Sequence, residues 1–174
     1  MSDSFLALAQ AIESATWSDN ILSSLAPVSE PLRALMTDQG SLTSSLKALS
    51  DDDFKVNVLR ESLDKPYQSE VDKLGLGRES LATIREVELH IFNTPVVFAR
   101  SIIPTDLTQR SETGLAELGS KPLGHLLFKD GRMRQSRREF ACVNNVYGRR
   151  TPYDYEGGTI LVNEFFLESL GNYL

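Results

Sequence analysis

The 174-residue chain has one cysteine, one tryptophan and two histidines. A lone thiol, Cys142, makes no internal disulfide, which fits a reducing compartment. Cys142, His90 and His125 stand singly, with no His-x-x-x-His or Cys-x-x-Cys spacing, so they do not make a zinc site. Long apolar runs are missing too. Stretches such as Val96-Val97-Phe98-Ala99 fall far short of the ~20 residues of a membrane span. The opening Met1-Ser2-Asp3-Ser4 lacks the positive segment of a signal peptide. A soluble cytoplasmic protein is expected. Net positive charge is also lacking. At −6 the chain has nothing global to neutralise phosphates, which argues against nucleic acid as the main partner. A small anionic ligand remains open, because it responds only to the local field of its pocket.

What is present is a helical first half followed by strands. Phe5, Leu8, Ala9 and Ile12 recur at helical spacing behind the candidate caps Ser2, Asp3 and Ser4. Ser29-Glu30-Pro31 starts a second helix with Leu32, Leu35 and Met36 as its apolar stripe, and Gly40 is read as its C′ residue. Ser41 caps a further short helix with Leu42, Leu46 and Leu49 on one side. This pair is either an ordinary core cover or a mobile lid. Phe54, Val56 and Val58 alternate as in a strand, and 64–80 reads as a polar connection. Residues 82–92 and 96–103 form a hairpin turning at Asn93-Thr94-Pro95, with Pro104 closing the second strand. A short helix is expected around 112–118, stopping at Gly119, then a helical piece after Pro122. Strands are expected at 133–143 and about 147–154, a turn at Glu156-Gly157-Gly158, and a final buried strand at 159–167. Helices first and hairpin-linked strands after give one α+β domain over 1–174, with an antiparallel sheet flanked by helices.

Counting by twos exposes an anomaly. Thr83, Arg85, Val87, Leu89 and Ile91 share one face of their strand, so Arg85 points into the core row. In the last strand, Ile160, Val162, Glu164 and Phe166 share a face, which puts a carboxylate in an apolar row. A buried unpaired charge costs several kcal/mol, so each needs a partner. Three readings stand: the two pair with each other, they are exposed at strand ends, or they stand at opposite ends of an interior pocket. Periodicity does not choose. The basic stretch from Lys129 to Arg150 reads either as solvated strand faces or as an approach path for an anion. Cys142, between Ala141 and Val143, reads as a core residue, and His125 as a surface one.

Four segments in order carry a resemblance. They are Ser41-Leu42-Thr43; Ile84-Arg85-Glu86-Val87 with Pro95 to Pro104; Leu118 to Phe128, containing Pro122-Leu123-Gly124; and Tyr147-Gly148-Arg149-Arg150 with Leu161 to Leu167. Together they resemble the chorismate pyruvate-lyase family of bacterial ubiquinone biosynthesis, from about residue 15 onward. The chain departs from the family at Thr83-Ile84, Val96-Val97 and Tyr147, where tryptophan-containing pairs or tryptophan are common.

The resemblance implies a closed pocket between an antiparallel sheet and an N-terminal helix-turn-helix flap. It implies that Arg85 binds the ring carboxylate, Glu164 the ring hydroxyl, and Leu42 and Leu123 supply backbone contacts. Arg149 is a further candidate binder, through its Gly-Arg-Arg segment. The implied reaction converts chorismate to 4-hydroxybenzoate and pyruvate without metal or redox cofactor. A monomer is expected, since no long exposed apolar edge stands out. A rival reading is a non-catalytic aromatic-acid sensor of the same fold. Such regulators carry a DNA-reading domain in front, for which about forty residues are too few. A mutase or a magnesium-dependent chorismate enzyme is the other rival, opposed by the strand-rich second half and the modest length.

Overall fold

The hairpin at the centre of the chain sets the architecture. In the computed structural model, which describes residues 8, 12–20, 28–110, 114–129, 131 and 133–174, β2 (Ala82–Ile91) and β3 (Thr94–Pro104) pair antiparallel along their whole length. Phe92 and Asn93 both have positive φ, 47° and 62°, the signature of a two-residue I′ turn. The turn is therefore one residue earlier than the sequence suggests. Thr94 and Pro95 belong to the strand, and the register slips beside them, between Leu89 and His90.

The other strands are β1 (Phe54–Asp64), β4 (Arg134–Gln135), β5 (Glu139–Val143), β6 (Val146–Tyr155) and β7 (Gly158–Phe166). The sheet order is β1-β2-β3-β7-β6-β4, with β5 also pairing β6. All pairings are antiparallel. β7 is central, as its two apolar faces require. The expected strand at 133–143 is divided into β4 and β5. The turn between β6 and β7 uses positive φ at Glu156 and Gly157.

Helices cover both faces. On the front lie α1 (Glu30–Thr37), α2 (Leu42–Leu49) and α5 (Leu123–Phe128); α4 (Thr105–Thr108) and a 3-10 turn (Leu115–Glu117) lead into α5. The stripe of α1 and α2 packs Leu35, Met36, Leu42 and Leu46 against Val87, Leu89, Val97 and Phe166. Ser41 caps α2, its hydroxyl accepting from Ser44 N–H. Gly40 is not the C′ residue of α1. The helix ends at Asp38, whose carboxylate instead accepts from Gly40 N–H. Residues 111–113, part of the expected 112–118 helix, lie outside the described residues, as does most of the first helix. Its described members Leu8 and Ile12 are buried on the back face against Phe98 and Phe165.

Two expectations fail, one on the back face and one at the edge. The polar connection 64–80 contains α3 (Gln68–Leu74), docked there by its buried Glu70. Glu86 and Glu88, on the opposite face of β2 from Arg85, are buried, Glu86 by Arg100 and Glu88 beside Asn57 and His90. Cys142 is exposed, although β5 pairs with β6 on one side and is bridged to Ser18 at Phe140 on the other. Of the basic stretch, Arg138, Arg149 and Arg150 are buried, while Lys129, Arg134 and Arg137 are solvated.

Gly148, in the Gly-Arg-Arg segment, has a packing role. A Cβ there would sit 2.6 Å from the Phe165 ring on the neighbouring strand, closer than any side chain tolerates.

Candidate functional site

The face of the sheet that carries Arg85 is the floor of a cavity. Val56, Val87, Leu89, Ala99, Ser101, Val162 and Tyr153 form that floor. Leu42 and Thr43 of α2, with Pro122, Leu123, Gly124, Leu127 and Phe128 around α5, form the roof. The free space is small, about 60 Å³ open to the centres of water-sized spheres. Apart from Arg85 and Glu164 its walls are mostly aliphatic and aromatic, as expected of a site for a small organic molecule.

Arg85 and Glu164 both line the cavity, and their side chains are 2 % and 9 % exposed. They do not pair with each other. Arg85 lies opposite Ser101, which lies opposite Val162. Glu164 is two residues further along β7, so the two Cα atoms are two strands apart and offset, roughly 12 Å from strand spacing and rise.

Each charge has its own partner. Arg85 Nη1 donates to Glu61, directly opposite on β1, and Nη2 donates to the carbonyls of Gly119 (2.8 Å) and Lys121 (3.2 Å). Three of its five donors are thus used, and Nε–H and the second Nη1 hydrogen are not taken by these partners. Glu164 accepts from Arg149 Nε at 2.5 Å. Arg149 Nη1 in turn donates to the carbonyls of Leu35 (2.9 Å), Met36 (3.2 Å) and Asp38 (3.4 Å) at the end of α1. Burial alone would lower the Arg149 pKa, but the Glu164 charge and hydrogen bond hold it above the usual value. Arg149 does not line the cavity; it stands behind Glu164.

Leu42 opens α2 and Leu123 opens α5. The first N–H groups of a helix have no intrahelical acceptor, so the roof brings such donors to the cavity. The two helix starts touch: a Cβ on Gly124 would lie 3.4 Å from Thr43 Oγ1.

Two residues escaped the sequence reading. Tyr153 lies on the same face of β6 as Arg149, four residues on, and its phenol is pushed up by burial and then by the Glu164 charge. Period-two counting from Arg149 would have found it. Glu61 had no signal, since the register shift between Val58 and Arg60 hides its face. Among the described residues no group of three His, Cys, Asp or Glu side chains is placed to hold a metal, and no helix is long and apolar enough to cross a membrane.

The fold is shared with effector domains of transcription regulators. The effector domain of PhnF from Mycobacterium smegmatis superposes with a TM-score of 0.54 at 15 % identity, over 76 % of this chain and 91 % of that one. The C-terminal domain of a histidine utilization repressor from Pseudomonas syringae gives 0.51 at 6 % identity, over 67 % and 92 %. At such identities only the fold is shared. Sequence relatives are much nearer. A probable chorismate pyruvate-lyase of Pseudomonas putida is 39 % identical over 161 residues, covering 82 % of this chain and 88 % of that protein. One from Methylococcus capsulatus is 35 % identical over 149 residues, covering 76 % and 92 %. The family model described as chorismate lyase matches residues 11–171, which span the sheet, the flap and every cavity residue. This chain belongs to the chorismate lyase family.

Proposed function

We propose that this protein is a chorismate pyruvate-lyase that forms 4-hydroxybenzoate and pyruvate, and so feeds ubiquinone biosynthesis. The observation that carries the reading is a cation and an anion enclosed at separate ends of one small apolar cavity, each held by a partner other than the other. A para-substituted benzoate has a carboxylate at one end and a hydroxyl at the other, which matches that polarity.

Arg85 holds the ring carboxylate through a charge-assisted contact from a donor that its protein partners leave unused. Glu164 accepts a hydrogen bond from the ring hydroxyl and fixes its direction. Backbone N–H groups at Leu42 and Leu123 add contacts from the roof. In the reaction the ring C–O bond of the ether breaks with its electron pair on the departing enolpyruvate, a ring hydrogen leaves as a proton, and enolpyruvate takes up a proton at its methylene carbon to become pyruvate. Aromatisation drives these steps. The work left to the protein is to hold the eliminating conformer and stabilise shifting charge in a water-poor site.

The test is incubation with chorismate, following aromatic absorbance and pyruvate. Equal amounts of 4-hydroxybenzoate and pyruvate are expected. Binding of 4-hydroxybenzoate without its formation would favour a sensor, and an isomerised product would favour another chorismate enzyme.

A further inference from the structure

The end of α1 presents carbonyls that the helix itself does not satisfy, and its own last turn carries no basic residue. Two buried arginines from the sheet supply the missing charge. Arg138 Nη1 donates to Met36 O (3.0 Å) and Asp38 O (2.6 Å), while its Nε is held by Thr151 Oγ1 (2.8 Å). Arg149 reaches the same carbonyls and Leu35 O, and on its other side Glu164. The two differ in one respect: among the described residues Arg138 makes no hydrogen bond to Glu164, whereas Arg149 joins flap and carboxylate through one rigid group.

We propose that Arg149 is a positioning residue that couples closure of the α1–α2 flap to the orientation of Glu164, while Arg138 anchors the flap alone. This rests on Glu164 being the group that orients the ring hydroxyl. With the flap closed, the carbonyls of α1 fix the guanidinium plane, and the plane fixes the carboxylate. With the flap open, Arg149 loses three acceptors and Glu164 loses its support. Coupling is reciprocal, so changing Glu164 must loosen a flap to which it makes no hydrogen bond.

Three variants test it, two by kinetics and one by amide exchange. A lysine at 149 has one compact ammonium and cannot serve both sides. Arg149→Lys is expected to lower the single-turnover rate at saturating chorismate by about tenfold or more, and Arg138→Gln to act chiefly on the half-saturating concentration. Glu164→Gln, nearly isosteric, is expected to raise amide hydrogen exchange over residues 30–49 at least about fivefold. The coupling is overturned if Arg149→Lys moves only half-saturation, as Arg138→Gln does, or if Glu164→Gln leaves flap exchange at the wild-type level. The exchange arm needs no turnover. An inactive wild type would count against the proposed reaction, whereas unchanged exchange beside an active wild type counts against the coupling alone.

Discussion

Arg85 and Glu164 lie on one face of the sheet two strands apart, and each is neutralised by a different side chain, Glu61 for Arg85 and Arg149 for Glu164. Two buried charges that attracted each other would close the space between them. Because each is held from behind, the space stays open and the aliphatic floor lies between them. The cavity is therefore a consequence of where Glu61 and Arg149 stand.

The first prediction concerns Arg85. Replacing it by alanine removes the cation proposed to face a ligand carboxylate, a loss of about 2–5 kcal/mol when such a pair is enclosed. Calorimetric titration of Arg85→Ala with 4-hydroxybenzoate is expected to show no measurable heat. Binding at wild-type strength would remove Arg85 from the site. Its partner Glu61 is 33 % exposed, so folding should survive.

Glu164→Gln keeps size but loses charge and exchanges one accepting oxygen for a donating NH2. The expected result is a strong fall in rate of chorismate conversion, with 4-hydroxybenzoate still bound. An unchanged rate would take Glu164 out of the chemistry.

On the back face Arg100 is enclosed by Glu70, through Nε–Oε1 at 2.9 Å and Nη2–Oε2 at 3.0 Å, and by Glu86 at 2.6 Å. Arg100→Ala leaves two buried carboxylates without a cation and is expected to cost about 3–5 kcal/mol in urea denaturation. A combined Arg100→Met, Glu70→Leu, Glu86→Leu variant should recover most of that loss. Equal destabilisation by both would mean that packing, not charge, holds this face.

What was legible in the sequence follows from what kind of signal each residue leaves. Arg85 and Glu164 break an apolar alternation at known strand positions, so face counting alone marks them. Their partners leave no such mark. Glu61 comes after a register shift, and a one-residue slip exchanges faces. α3 escaped because its docking depends on Glu70 meeting Arg100, a contact thirty residues distant, while few apolar residues mark its face. Cys142 misled because alternation shows what a residue's neighbours are, not whether its strand has anything packed against it. The Phe92-Asn93 turn was misplaced because Asn93, Thr94 and Pro95 are all common in turns, and only the pair of positive φ values selects the two that make it.

Gly148→Ala tests the close passage of β6 over Phe165. The added methyl meets the ring at under 3 Å, and overpacking of this kind costs about 1–3 kcal/mol. A lowered denaturation midpoint is expected, and an unchanged one would show that the ring moves aside freely.

Acid sensitivity should trace in part to Glu139. Burial alone would raise its carboxyl, but hydrogen bonds from Arg150 and Lys73 outweigh this and hold it below its usual 4.5. A depressed folded value gives stability that is present above the unfolded pKa and lost as pH falls through the folded one. The difference in urea midpoint between wild type and Glu139→Gln should be full at pH 7 and shrink below about pH 4.5. A difference independent of pH would assign the effect to packing.

The most direct test is a structure with 4-hydroxybenzoate bound. The account predicts the ring between the α2–α5 roof and Val87, Ala99 and Val162, with its carboxylate on Arg85 and its hydroxyl on Glu164. A ring bound outside this cavity, or bound within it with the two ends reversed, would contradict it.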